Sequence, residues 1–259
     1  MKALEIISPG PLALVQDLGR PGRMKYGVPP GGALDRESLQ LANALAGNAA
    51  GAPAIEITLG GFSAMVLAPL TLATAGAWAT MDVDGAGVHP YTAFSVAPGQ
   101  TLTVGPVVWG ARVYLAAAGG IDAPLVLGSA ATFIRGKMGG LAGDGKPLRA
   151  GDVVPVVAPP SNVAPANSRP ALDWAAAALM RRAAALAGAS DTTPAVLRVV
   201  LGPQDDLFAP GGIDTLLSSH YKVTPLTDRM GARLDGPTVA HRTGPDIVSD
   251  GIPDGAVQI

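Results

Sequence analysis

Basic side chains that could serve a binding site are concentrated in a glycine-rich stretch near the start of the chain. Arg20, Arg23 and Lys25 lie among glycines and prolines in VQDLGRPGRMKYGVPPGGALD, which covers residues 15–35. Glycines allow a backbone to approach a ligand closely, so this stretch is a candidate site. Tight turns need the same glycines and prolines, which leaves open that the stretch is a turn carrying solvated arginines.

A second glycine-rich segment carries further candidate side chains. It reads AAAGGIDAPLVLGSAATFIRGKMGGLAGDGK, residues 116–146, and begins as a strand that runs into paired glycines. The glycines fit either close approach to a ligand or the corners of a β-barrel. Its polar and basic residues include Asp122, Ser129, Thr132, Arg135 and Lys137.

The sequence GLAGDGK, residues 140–146, matches the first seven positions of a phosphate-binding P-loop. The eighth position must be Ser or Thr to reach magnesium, and here it is Pro147. A P-loop also needs a helix behind it, whereas PLRAGDVVPVV predicts a turn and a strand. We therefore do not predict a P-loop.

Other local signatures of catalysis are missing. His89, His220 and His241 are too scattered to indicate a metal site, and the metalloprotease motif H-E-x-x-H and the hydrolase motif G-x-S-x-G do not occur. With no cysteine, the chain has neither a thiolate nucleophile nor a zinc-thiolate site. We predict no metal site from the sequence.

The elements that must position the candidate residues are mostly strands. Short apolar runs such as KALEII, AIEITL, TLATAG, TLTVGP and RVYLAAAGG alternate with turn residues, a pattern typical of a sheet or barrel. One helix is predicted in DRESLQLANALAG, with Asp35 as its N-cap and Gly47 at its end. A second is predicted in LDWAAAALMRRAAALAG, residues 172–188.

The segment PPSNVAPANSRP, residues 159–170, has the composition of an exposed linker. We place a domain boundary there. The predicted division is a first unit over residues 1–158, a linker and alanine-rich helix over 159–190, and a second unit over 191–259. In the second unit AVLRVVLG and AVQI are predicted strands, and GIDTLLSSH is a predicted short helix.

Composition excludes several classes of protein. The 259 residues carry a net charge of -2, which gives no electrostatic basis for binding nucleic acid. Prolines interrupt the N-terminal stretch too early for a signal peptide, and no run approaches the roughly 20 apolar residues of a membrane span. The sequence predicts a cytoplasmic protein with no membrane partner.

Several blocks in this order resemble the KipA family. The blocks are QDLGRPG, GVPPGGALDRES, LANALAGN, AIEITLGG, RVYLAAAGGIDAPLVLGS, LRAGD and DRMGARLDGP. Members of the family are also called allophanate hydrolase subunit 2, the C subunit of 5-oxoprolinase, or subdomains A and B of a biotin-dependent carboxyltransferase. The resemblance extends over nearly the whole chain.

The resemblance implies a mostly β fold of two cyclophilin-like β-barrel units with a few short helices. It also implies partners, namely a KipI-like subunit, which is the B subunit of 5-oxoprolinase, together with a third component, the A subunit. With them the expected reaction is ATP-dependent opening of the cyclic amide 5-oxoproline to glutamate, with ATP and Mg²⁺ as cofactors. Two alternatives stay open: a biotin-dependent carboxyltransferase subunit related to urea carboxylase, and a non-catalytic regulator that binds a KipI-like kinase inhibitor.

The expected chemistry assigns roles to residues of both glycine-rich segments, which we expect to converge on one cleft. Cationic groups are needed where phosphate charge develops, and carboxylates can act as acid, base or metal ligand. The predicted catalytic residues are Asp17, Asp35 and Glu56, although Asp35 is equally a helix cap and Glu56 could face solvent. The predicted substrate- or phosphate-binding residues are Arg20, Lys25, Ser129 and Arg135, with Arg23 and Lys137 as further basic candidates.

The chain departs from the family pattern in two places. Members commonly read G-S-R-S-T where this chain has GSAAT, so Ala130 and Ala131 replace an arginine and a serine. If that arginine binds an anion, this chain must bind it less well or elsewhere. The family also continues beyond the segment matching DGAVQI, so we expect a truncated second unit whose exposed strand edges a partner could cover.

Overall fold

We describe the fold from a computed structural model. It describes residues 1–158, 166–187, 194–244, 246–248, 252 and 255–259, without the side chains of residues 182 and 185–187. The chain forms two compact units, Met1–Arg181 and Arg182–Ile259. The division into residues 1–158, 159–190 and 191–259 remains a prediction.

The first unit is built on one antiparallel sheet that is curled into a half-barrel. The sheet follows the order β2-β3-β8-β4-β1-β9, and β5 extends it by pairing with β8, β7 and β6. The mostly β fold class predicted from the sequence is confirmed. The strands are β1 (Lys2–Pro9), β2 (Leu12–Gln16), β3 (Ala54–Thr58), β4 (Phe62–Val66), β5 (Leu70–Val83), β6 (Ala86–Gly87), β7 (Ala93–Val96), β8 (Thr101–Ala117) and β9 (Val153–Pro155).

The longest strand, β8, joins two segments that the sequence predicts as separate strands. TLTVGP and the first six residues of RVYLAAAGG lie in one continuous strand, which Gly105, Pro106 and Gly110 do not interrupt. The pairing of β8 with β5 instead shifts register at three places between Gly76 and Met81. Such bulges absorb residues that local sequence reads as turns.

Apolar side chains fill both faces of the sheet. One cluster lies within the curl of the strands and includes Leu4, Phe62, Leu102 and Val104, all at most 1% exposed. The other lies between the opposite face and the helices, and includes Tyr114 from β8. Burial on both faces explains why many strands are continuous apolar runs.

The predicted first helix is confirmed as α1 (Arg36–Ala46). Asp35 caps its N-terminus by accepting a hydrogen bond from the Ser38 N–H, and Gly47 ends it with a φ of 78°. Its apolar face, with Leu41 and Leu45, packs on β5 and β8. The helix therefore fixes the end of the first glycine-rich segment against the sheet.

The alanine-rich helix is α2 (Arg169–Ala187), which begins three residues before its predicted start. Ala171, Ala175 and Ala178 recur at helical spacing and are buried in the cluster that also contains α1. The Trp174 indole N–H donates to Glu37 of α1 at 3.3 Å. This part of the helix packs on the first unit.

The described residues of the second unit hold little regular structure. The predicted short helix is confirmed as α3 (Gly212–Ser218), and the two strands are β10 (Lys222–Val223) and β11 (Leu234–Asp235). The strand prediction for AVLRVVLG is wrong, because residues 194–202 form no strand, and AVQI, residues 256–259, forms none either. Strand propensity is realised only where a neighbouring strand supplies hydrogen bonds and packing.

Candidate functional site

The Asp17 carboxylate, at the end of β2, joins the two glycine-rich segments. Its Oδ1 accepts hydrogen bonds from the Gly19 N–H at 2.7 Å and from the Ser129 hydroxyl at 2.6 Å. Its Oδ2 accepts from the Ala130 N–H at 2.7 Å. Three donors from two segments therefore meet one carboxylate that is 7% exposed.

Arg20 lies beside Asp17 and is directed inward. Its side chain is 2% exposed and donates to the carbonyls of Val126, Ser129 and Ala131, at 3.3, 3.5 and 2.5 Å. Burial lowers the pKa of this guanidinium, and the negative charge of Asp17 opposes the shift. The positive charge is therefore used to hold three backbone carbonyls of the second segment.

At Gly139 the contact between the segments leaves no space for a side chain. Gly139 has a φ of 68°, and a Cβ there would lie 2.0 Å from the Ala131 carbonyl oxygen and 2.9 Å from Arg20 Nη2. Only glycine fits this position without displacing the backbone. We call Asp17, Arg20 and Ser129 the interloop cluster.

Glu56 forms a second buried network on the sheet. Its carboxylate is 1% exposed, so the alternative that Glu56 faces solvent is wrong. Oε2 accepts from the Tyr114 hydroxyl at 2.7 Å and from the Leu34 N–H at 3.1 Å, while Oε1 lies 3.5 Å from Arg112 Nε. The Tyr114 oxygen in turn accepts from the Asp35 N–H at 2.8 Å. Glu56 and Tyr114 thus hold the end of the first glycine-rich segment.

Tyr114 predicts a measurable dependence of stability on pH. Burial first, and then the charge of Glu56, raises the pKa of its phenol above the usual value of 10.0. The neutral phenol therefore stabilises the fold below about pH 10, and this contribution is lost as the pH rises through the folded-state pKa. Above about pH 10, we expect the unfolding free energy of Tyr114→Phe to fall less steeply than that of the wild type, by up to about 1.4 kcal/mol per pH unit.

Urea unfolding at a series of pH values from about 8 to 11 measures this difference. The matched control is Tyr26→Phe, because Tyr26 is 67% exposed. Its curve should parallel that of the wild type. Equal slopes for Tyr114→Phe and the wild type would contradict the pKa assignment.

The side chains of the remaining candidate residues have other contacts. Asp35 acts as a helix cap, and its Oδ2 also accepts from the Ser38 hydroxyl at 2.5 Å. Lys25 is exposed in the short 3₁₀ turn Met24–Tyr26, with Nζ 5.0 Å from the centre of the Tyr26 ring. Arg135 is exposed in the turn closed by the bridge between Phe133 and Met138.

The structure thus brings Asp17, Arg20 and Ser129 into direct contact, and it places Glu56 in a different network. The two glycine-rich segments do meet, as expected, through the interloop cluster. Ala130, at the position where the resemblance predicts arginine, is fully buried in the apolar core of the sheet. In this chain the position contributes packing and a backbone N–H.

Sequence reasoning missed Arg112 and Tyr114. Both lie on β8, two residues apart, and Tyr114 is directly opposite Glu56 of β3. Two features of the sequence pointed to this buried network: RVY within one apolar run and a single glutamate within AIEIT. Finding it required the pairing of the two strands, which local sequence does not supply.

Within the part of the chain that the structure describes, no group of three or more His, Asp or Glu side chains is placed to hold a metal ion. Over the same residues, no helix combines the length and apolar character needed to span a bilayer.

The family model and the similar proteins agree on one family for this chain. A family model described as carboxyltransferase domain, subdomain A and B, matches residues 26–259. The urea amidolyase of Lachancea kluyveri is 36% identical over 242 residues, which are 91% of this chain and 13% of that protein. The C subunit of the Escherichia coli 5-oxoprolinase is 32% identical over 256 residues, which are 99% of this chain and 76% of that protein.

A solved structure supports the same grouping. The crystal structure of the Kluyveromyces lactis urea carboxylase superposes with a TM-score of 0.75 and 30% sequence identity. The match covers 93% of this chain and 21% of that one. The chain therefore spans a small part of the urea-metabolising relatives and about three quarters of the E. coli protein.

Proposed function

Because the chain belongs to the family of the carboxyltransferase domain, subdomains A and B, we propose that it is a subunit of an ATP-dependent 5-oxoprolinase. One observation carries the proposal: the match to the C subunit of the E. coli 5-oxoprolinase extends over 99% of this chain. The reaction opens the ring amide of 5-oxoproline to glutamate while ATP is cleaved to ADP and phosphate. It takes place in the cytoplasm.

The proposal includes partners, since the E. coli relative is named as one subunit of an enzyme. We propose that the chain acts with two other proteins, a KipI-like subunit being the first of them. The interloop cluster gives the two glycine-rich segments a fixed mutual position, which a shared cleft requires. The exposed Lys25 and Arg135 lie on these segments and are the side chains we propose for contact with phosphate.

The fit of ATP with Mg²⁺ can be judged from the carboxylates. Magnesium prefers carboxylate oxygens and water in an octahedral arrangement. Asp17 and Glu56 are buried, and their carboxylate oxygens accept hydrogen bonds within this chain. Asp35 caps α1. These three residues do not fit a magnesium site, so magnesium in the proposed complex would be held by other groups.

The test is reconstitution of the complete complex. The chain is co-expressed with its KipI-like neighbour and the third component, and the formation of glutamate and ADP from 5-oxoproline is measured. We expect both products in a one-to-one ratio, and neither when this chain is omitted. Absence of turnover from the complete complex, with homologous complexes active in the same assay, would contradict the proposal.

A second candidate function has its own support. The family model is named for carboxyltransferase domains, and the identity to the L. kluyveri urea amidolyase is 36%. A biotin-dependent carboxyltransferase subunit would bind a biotinylated carrier protein and transfer its carboxyl group to an amide such as urea. Carrier binding and transfer of labelled carboxyl, without glutamate formation, would favour this function. Binding to the KipI-like protein with neither activity would favour a regulator.

A further inference from the structure

Arg112 is a further basic residue of the first unit, and it lies beside the buried Glu56 network. Its side chain is 24% exposed, and its Nε lies 3.5 Å from Glu56 Oε1. No contact of its two terminal nitrogens occurs among the hydrogen bonds and ion pairs of the described residues. The Nε edge of the guanidinium therefore faces the protein, while the terminal fork is left for another partner.

The anchor of this arginine is itself rigidly held. The Tyr114 hydroxyl and the Leu34 N–H fix the other oxygen of the Glu56 carboxylate, so the anion cannot turn away from Arg112. Glu56 and Arg112 also lie on adjacent strands, with Arg112 opposite Thr58. A guanidinium fixed in this way loses little conformational freedom when it binds a planar anion.

Three other arginines of the first unit contact different kinds of partner. The guanidinium of Arg20 is directed onto backbone carbonyls. Arg169 pairs with Asp173, and Arg181 pairs with Glu37. Arg112 differs because its partner, the Glu56 carboxylate, is nearly buried and contacts only Nε. Glu56 therefore orients the guanidinium of Arg112.

We propose that Arg112 binds the carboxylate of the substrate, with Glu56 and Tyr114 as its positioning residues. The inference rests on the proposed function, because 5-oxoproline carries a carboxylate beside its ring amide whereas urea carries none. The fork of two N–H donors matches a carboxylate in a bidentate pair. The same network holds the backbone of Leu34 and Asp35, so the anion would bind beside the first glycine-rich segment.

The experiment compares two substrates of the reconstituted complex. One is 5-oxoproline, and the other is its neutral analogue in which a carboxamide replaces the carboxylate. For the wild type, kcat/KM should be higher for 5-oxoproline. In Arg112→Ala that preference should fall about 10- to 100-fold, because a charge-assisted contact is lost for one substrate only. A purely structural role would lower kcat/KM equally for both substrates.

Arg112→Lys keeps a positive charge beside Glu56 and loses the fork, so it provides a test even if the alanine variant folds poorly. We expect it to have an intermediate preference. Arg149→Ala, at an exposed arginine, is the matched control and should keep the wild-type preference. An unchanged preference in both Arg112 variants, or no preference in the wild type, would overturn this inference alone. No turnover of either substrate by the wild-type complex would overturn the proposed function and the inference with it.

Discussion

Replacing Arg20 by alanine is expected to lower the free energy of unfolding by about 3–5 kcal/mol. Arg20 is 2% exposed and donates to three carbonyls of the second glycine-rich segment. Removing it takes the guanidinium donor from the Ala131 carbonyl, whereas the Val126 and Ser129 carbonyls also accept from backbone N–H groups. It also leaves the nearby Asp17 carboxylate without its compensating cation. A buried acceptor or charge that loses its partner adds a desolvation cost.

Urea unfolding followed by circular dichroism measures this loss. Arg23→Ala is the matched control, because Arg23 belongs to the same segment and is exposed. It should change the unfolding free energy by less than about 0.5 kcal/mol. Equal, small effects of both substitutions would show that the interloop cluster does not stabilise the fold. The comparison separates a structural arginine from a solvated one within the same loop.

The second large effect is expected at Glu56. Glu56→Leu should destabilise the protein by about 3–5 kcal/mol, because it leaves two donors without their acceptor and one cation without its counter-ion. The donors are the Tyr114 hydroxyl and the Leu34 N–H, and the cation is the Arg112 guanidinium. A milder change is expected for Glu56→Gln, which keeps an acceptor oxygen but loses the negative charge.

Chemical denaturation of both variants tests this expectation, with Glu5→Leu as the control. Glu5 lies on β1 and is partly exposed, so its replacement should change stability by only about 0.5 kcal/mol. If Glu56→Leu is as stable as the wild type, burying an apolar side chain there compensates for the lost network. In that case Glu56 would not be a structural anchor for Arg112.

Local sequence predicted the elements that depend on neighbours along the chain. The cap at Asp35, the stop at Gly47 and the apolar face of α1 are all set within one helix. The strands of the first unit could be located because β-branched and apolar runs are bounded by turn residues. Strand length was harder to predict, since the continuity of β8 depends on bulged pairing with β5.

At the candidate site, tertiary structure decided more than local sequence did. The sequence located Asp17, Arg20 and Ser129 in charged, glycine-rich segments, but it could not tell that their side chains meet one another. Asp17 and Ser129 are 112 positions apart in the chain, and only the curled sheet brings them within 2.6 Å. Charge and glycine content are local properties, whereas the partner of a buried charge is decided by packing.

The sequence by itself therefore determined the mostly β class, the first helix and the family, because each depends on local pattern or on the order of motifs. Tertiary structure decided that Arg20 is directed onto carbonyls, that Glu56 is buried, and that Arg112 is held by Glu56 across two strands. It also decided that AVLRVVLG forms no strand among the described residues. The physical reason is shared: strand pairing and the compensation of buried charge are interactions between distant segments, and no single segment specifies its partner.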